Sequence, residues 1–132
     1  MIVVDSSALI AVLLAEPNHE TFKRTLANSD ASLISTANVL ETIQVALGKL
    51  GETGRGRVEA LIAENRIEIA AFDEPQLGHA IEAFMRFGRG RGHPAKLNFG
   101  DCMAYALAKS LDAPLLYKGD DFALTDIRSA LA

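Results

Sequence analysis

Residues 1–14 read MIVVDSSALIAVLL. Three β-branched or apolar residues, Ile2, Val3 and Val4, end at a carboxylate, Asp5, and two serines lead into the apolar run 8–15. β-Branched residues favour strands, and a short polar residue ahead of an apolar-periodic run favours a helix start. The stretch therefore predicts a buried strand, a turn at Asp5, and a helix carrying Leu9, Ile10, Leu13 and Leu14, with Ser6 or Ser7 as its cap. The charge sits where a parallel strand would end, the edge at which ligands bind in open α/β sheets. Its ordinary explanation is a helix cap, worth ~1 kcal/mol.

The strand-then-helix alternation continues outward from this stretch. Pro17 breaks the first helix and a second is expected over 18–27. A strand at 32–34 precedes a helix over 36–50, capped by Ser35 and closed by Gly51. GETGRGR (51–57) reads as a turn, followed by a helix to about residue 65 and a strand over 66–72. A helix over 76–86 runs into the glycine-punctuated FGRGRGHPAK (87–96). Asn98 is expected to cap a helix over 100–111, and a last strand (114–117) precedes a short helix over 121–124. Such alternation is the signature of a parallel sheet covered on both faces.

Composition sets the class. Apolar residues make up 49% and charged residues 23% of 132 residues, which suits one globular α/β domain over 1–132. The eight-residue apolar run falls far short of the ~20 needed to span a bilayer, and the N-terminus lacks a signal-peptide pattern. A cytoplasmic protein without membrane association is expected. Cys102 is the single cysteine and stands apart from His19, His79 and His93, so neither an internal disulfide nor a zinc motif is expected. A formal charge of −4 argues against a surface that is wholly a polyanion-binding field, so any nucleic-acid contact should be local.

Four acids stand at ends of elements: Asp5 after the first strand, Asp101 in the first turn of its helix, Asp120 or Asp121 past the last strand, and Glu41 on the helix 36–50. Each has an ordinary reading. Asp101 can complete a capping box with Asn98, and Glu41 lies opposite an expected core stripe of Val39, Leu40, Ile43, Leu47 and Leu50, which makes it a solvated glutamate by default. As a set they suit Mg²⁺ or Mn²⁺, hard cations that take carboxylate oxygens and can activate water against a phosphodiester. The segment before Asp101 holds Arg86, Arg89, Arg91, His93 and Lys96 without an acid. It is read as a solvated loop or a local contact for a nucleic-acid backbone.

Four segments carry a resemblance: VVDSSALIAVLLAEP (3–17), STANVLE (35–41), LNFGDCMAYALAK (97–109) and LLYKGDDFALTDI (115–127). In their order and spacing, over essentially the whole chain, the sequence resembles VapC-type PIN-domain ribonucleases, the toxin halves of VapBC toxin–antitoxin pairs. The resemblance implies a three-layer α/β/α sandwich with a central parallel sheet and a carboxylate cleft for Mg²⁺ or Mn²⁺. Asp5 and Asp101 match the direct ligands, while Glu41 and Asp121 match acids acting directly or through water. Asp121 is favoured over Asp120 because the second acid of the KGxDF form is the fixed one. Ser6 takes the second position of the D-T/S-S/A-A motif and retains its hydroxyl. With Arg86, Arg89, Arg91 and Lys96 it is a candidate substrate contact. The resemblance further implies an RNA substrate, a VapB-type antitoxin covering the cleft, a homodimer, and no organic cofactor.

Two other readings use the same residues. A phospho-receiver domain would pair Asp5 with a phosphoacceptor at Asp73 and with Lys118, leaving Glu41 and Asp101 without a role. A PIN-like binding module would keep the scaffold and need no complete acid set.

Overall fold

A computed structural model describes residues 1–131. Ala132, the last residue of the expected domain, lies outside the described residues. In chain order the elements are β1 (Ile2–Val4), α1 (Ser6–Leu13), α2 (His19–Asn28), β2 (Ser32–Ser35), α3 (Thr36–Leu50), α4 (Thr53–Glu64), β3 (Ile67–Ala70), α5 (Glu74–Phe87), α6 (Phe99–Leu111), β4 (Leu115–Leu116) and a 3-10 turn (Phe122–Leu124). The strands form one parallel sheet in the order β3-β2-β1-β4.

Because successive strand residues point to opposite faces, the short strands feed two cores. Val3, Leu33 and Leu115 pack on the α5–α6 side with Ala83, Phe87, Tyr105 and Leu107. Ile2, Val4, Ile34 and Leu116 pack on the other side with Leu9, Phe22, Leu26, Val58 and Ile62 from α1, α2 and α4. This is the expected α/β/α sandwich. The C-terminal stretch adds to the open side of β4, where Leu115 N donates to Arg128 O (2.8 Å) and Ala130 N donates to Leu115 O (2.9 Å).

Three local expectations change. Helix α1 is capped by Asp5, whose side chain accepts from Ser7 N, and not by a serine. Helix α4 begins at Thr53, inside the stretch read as a turn. Gly54 occupies its first turn because the backbone of α3 is in the way of anything larger: a Cβ there would lie 2.5 Å from Ala46 O. Glycine in that segment marks a close approach between helices.

The third correction concerns α3. Its buried line is Asn38, Thr42 and Ala46, while Leu40 is 60% and Leu47 42% exposed. These leucines line an open apolar groove of about 630 Å³ with Val39, Ile43, Ile62 and Ile69, and none of Asp5, Glu41, Asp101 and Asp121 lines it. Glu41 is therefore half-buried and not the solvated residue that the leucine stripe implied.

Candidate active site: four acids at the carboxyl edge of the sheet

The parallel ladder ends at Asp5, whose backbone N–H donates to Leu116 O (2.9 Å). Its carboxylate is buried, 3% exposed. Oδ2 accepts from Ser7 N (3.0 Å) and caps α1. Oδ1 has no hydrogen-bond partner among the described residues, a costly position for a buried carboxylate oxygen. Burial pushes the Asp5 pKa up from 3.8 to about 7, against the lowering effect of its Ser7 hydrogen bonds, and the charges of Asp101 and Glu41 push it further.

Asp101 follows the same pattern on a different element. Asn98 Oδ1 accepts from Asp101 N (2.8 Å), and Asp101 Oδ2 accepts from Asn98 N (3.0 Å), a complete capping box at the start of α6. Burial raises the Asp101 pKa to about 6. The Asn98 backbone bond and Arg89 oppose the rise, and Asp121 and Glu41 add to it.

Glu41 reaches the same place from α3. Its Oε1 accepts from the Ser6 hydroxyl and from Asn38 Nδ2 (3.2 Å). Gly100, immediately before Asp101, lies against this carboxylate: a Cβ built there would be 2.6 Å from Glu41 Cδ and 2.7 Å from Oε1. Asp121 is exposed in the loop after β4, and its charge acts on Asp101. Asp120, its neighbour, is exposed as well. The loop is anchored to α1 at Lys118, whose N–H donates to Ser7 Oγ (2.9 Å) and whose Nζ pairs with Glu16 (3.0 Å).

Asp5, Glu41 and Asp101 thus each bind the protein through one carboxylate oxygen. Among the described residues no group of three or more His, Cys, Asp or Glu side chains is arranged to hold a metal ion outright. An open donor set of this kind suits a cation that takes one or two carboxylates and keeps its waters, as Mg²⁺ does. The partnerless buried oxygen of Asp5 fits that demand, and so does mutual repulsion that a counter-cation would relieve.

The basic segment divides. Arg86 Nη1 pairs with Asp126 (3.4 Å) and its guanidinium lies 4.6 Å from the Phe87 ring centroid. His93 packs edge-on against Phe87 and accepts from Ala95 N. Arg86, itself on α5, ties that helix to the C-terminal stretch, while His93 and Arg91, whose Nε donates to Met85 O (3.4 Å), hold the loop to α5. Arg89, Arg91 and Lys96 are exposed, and Arg89 is close enough to act on Asp101. Ser6, expected as a substrate contact, donates to Glu41.

Several residues of the site carried no readable signal of their own. Along the chain Ser7 reads as an ordinary cap and Gly100 as the first residue of a helix. Asn38 stands three residues before Glu41, a spacing that puts two side chains on one helix face, which is the one pattern that points to it. The receiver-like arrangement fails on topology. β3, the strand before Asp73, is separated from β1 by β2, and Asp73 Oδ1 caps α5 by accepting from Gln76 N (3.0 Å).

Residues 2–127 match the family model described as PIN domain. The chain is 41% identical over 125 residues to Ribonuclease VapC of Mycolicibacterium smegmatis, covering 95% of this chain and 96% of that protein. It is 40% identical over 125 residues to Ribonuclease VapC30 of Mycobacterium tuberculosis, covering 95% of each. Among solved structures it resembles VapC20 of Mycobacterium tuberculosis, described as a Sarcin-Ricin loop cleaving toxin, with a TM-score of 0.78 at 17% identity over 96% of each chain. It also resembles a chain of VapBC2 from Rickettsia felis bound to a DNA fragment from their promoter, with a TM-score of 0.75 at 16% identity over 98% of this chain and 96% of that one. At those identities the structural likeness speaks for the fold.

Proposed function

The chain belongs to the PIN-domain family, among the VapC ribonucleases, and from that premise we propose a metal-dependent endoribonuclease whose acids are Asp5, Glu41, Asp101 and Asp121. It is the toxin of a toxin–antitoxin pair. The observation that carries the reading of the site is the buried Oδ1 of Asp5, left without a partner and facing the charges of two further acids.

Asp5 and Asp101 would hold Mg²⁺ or Mn²⁺ through the oxygens that capping leaves over, with Glu41 and Asp121 completing the set directly or through water. The chemistry supplied by such an ion when bound is activation of water and neutralisation of charge on the scissile phosphate. The remaining work belongs to the chain. The capping bonds at Ser7 and Asn98 fix the orientation of Asp5 and Asp101, Ser6 holds Glu41, and the exposed Arg89, Arg91 and Lys96 attract the RNA backbone without reading its sequence. With water in place of the RNA 2′-hydroxyl as the nucleophile, the products would be linear, without a 2′,3′-cyclic phosphate. A VapB-type antitoxin covers the cleft, and the toxin is a cytoplasmic homodimer. No helix of the described residues is long and apolar enough to cross a membrane.

The test is cleavage of structured RNA by purified, metal-stripped protein with and without added Mg²⁺ or Mn²⁺, with the product ends determined. Expected are no cleavage without the ion, restoration on its addition, and loss in Asp101→Asn. Full cleavage in chelator, or 2′,3′-cyclic phosphate ends, overturns the reading.

A further inference from the structure

We propose that Asn38 is a positioning residue of this site: its buried amide ties the Glu41 carboxylate to the Gly100 backbone, so that α3 and α6 present Glu41 and Asp101 in one register. The proposal rests on the reading of these acids as the nuclease site.

Asn38 is 0% exposed. Its Nδ2 donates to Glu41 Oε1 (3.2 Å) on its own helix and to Gly100 O (3.0 Å) on α6. Both neighbours are acceptors, so the amide orientation is determined: turned over, Oδ1 would face two oxygens. The two bonds use both amide hydrogens and join positions 62 residues apart in sequence. Its backbone is held too, since Thr42 Oγ1 donates to Asn38 O (2.7 Å). Burying an amide costs free energy that an apolar residue of similar size would not incur, and here Oδ1 has no partner among the described residues. Packing alone does not account for an asparagine at this point, whereas the Glu41–Gly100 link does.

Gly100 is the other half of the arrangement. A Cβ at that position would occupy the space of the Glu41 carboxylate. What must move is the far end of a flexible side chain, so Gly100→Ala leaves the helix packing in place and displaces Glu41. The missing Cβ is what lets the carboxylate lie against the first turn of α6, where the Asn38 amide fastens it.

The experiment is a double-mutant cycle between Asn38→Ala and Glu41→Ala, with Gly100→Ala alongside. RNA cleavage and Mn²⁺ affinity by calorimetry are measured on each protein. Side-chain partners around a metal site typically contribute about 10–100-fold. Asn38→Ala is expected to lower kcat by that order with KM little changed, and to weaken Mn²⁺ binding. In the Glu41→Ala background the same substitution changes either quantity by less than about twofold, since residues acting through one another are not additive. Gly100→Ala reproduces the loss of kcat with an unchanged melting temperature, which keeps the proposal testable if Asn38→Ala does not fold. Equal losses from Asn38→Ala with and without Glu41, or a fully active Gly100→Ala, overturn it. If the wild type neither binds Mn²⁺ nor cuts RNA, the nuclease reading fails, and the tie is judged by NMR. A slowly exchanging Asn38 side-chain amide that shifts on Glu41→Ala supports it, and an amide unchanged by that substitution overturns it.

Discussion

At Asp5 the two carboxylate oxygens have different surroundings, and that difference has a measurable consequence. Oδ2 caps α1, while Oδ1 is buried with no partner among the described residues beside two like charges. A carboxylate whose folded pKa is about 7 in place of 3.8 binds its proton more tightly in the folded chain than in the unfolded one. Stability of the metal-free protein therefore falls as pH rises from about 4 to about 7, and Asp101 adds the same sign up to about 6. Asp5→Asn keeps a capping oxygen and removes the charge. Its metal-free form should melt a few degrees higher than wild type at pH 7.5 and about level with it at pH 4, while RNA cleavage is lost. A differential melting series across pH, run in chelator, checks this; a variant that melts lower at pH 7.5 contradicts it. Saturating Mg²⁺ at pH 7.5 should raise the melting point of wild type and leave that of Asp5→Asn unmoved.

At the scale of elements, α3 and α4 show how far apolar patterning can mislead. Helical spacing puts Leu40 and Leu47 on one apolar stripe with Val39, Ile43 and Leu50, yet the two leucines face an open groove, and the packed line is Asn38, Thr42 and Ala46. Small and polar residues fill that line because α3 lies close to α4 and α6, with the Gly54 backbone against Ala46 and Asn38 bonded to Gly100. Gly54→Ala should then cost about 1–3 kcal/mol, as overpacking does. Gly48→Ala, in the exposed interior of α3 with nothing within 4 Å of its would-be Cβ, should stabilise by up to about 1 kcal/mol. Denaturant unfolding of the two variants distinguishes a close helix contact from ordinary glycine flexibility. Most elements were legible: β1, β2, the extent of α3 and the Asn98-capped start of α6 fall where the sequence places them, although Ser35 stands at the start of α3 without a side-chain capping bond. The start of α4 did not, because Gly54 and Gly56 carry turn signals that the α3 contact overrides.

On the scale of the whole molecule, the parallel sheet delivers three of the four acids. Asp5 leaves β1, Asp121 follows β4, its neighbour in the sheet, and α6, which carries Asp101, leads into β4. Glu41 is added from α3 after β2. The net charge of −4 leaves attraction of RNA to a local patch. Replacing Arg89, Arg91 and Lys96 by alanine should raise KM for RNA and flatten its dependence on salt, with kcat nearly retained, because phosphate contacts contribute through counterion release. Initial rates over a salt series test this, and an unchanged salt slope would remove the segment from the substrate path. Arg86→Ala acts differently, through the Asp126 pair and Phe87, and should appear mainly in stability.

The amino-acid sequence by itself determined the strand–helix alternation, the parallel sandwich, and the family through four spaced motifs. Those properties live in local periodicity and in residue types at fixed separations. It also marked Asp5 and Asp101, because a carboxylate at a strand tip or in a helix's first turn is visible along the chain. Tertiary structure alone decided which oxygens are taken by caps and which way α3 faces. It also decided that Glu41 is held by Ser6, 35 residues away, and lies against Gly100, to which Asn38 is bonded across 62 residues. Those contacts join separate helices through single hydrogen bonds and one missing Cβ, and nothing in the spacing of residues along a chain records which side chains two packed helices bring together.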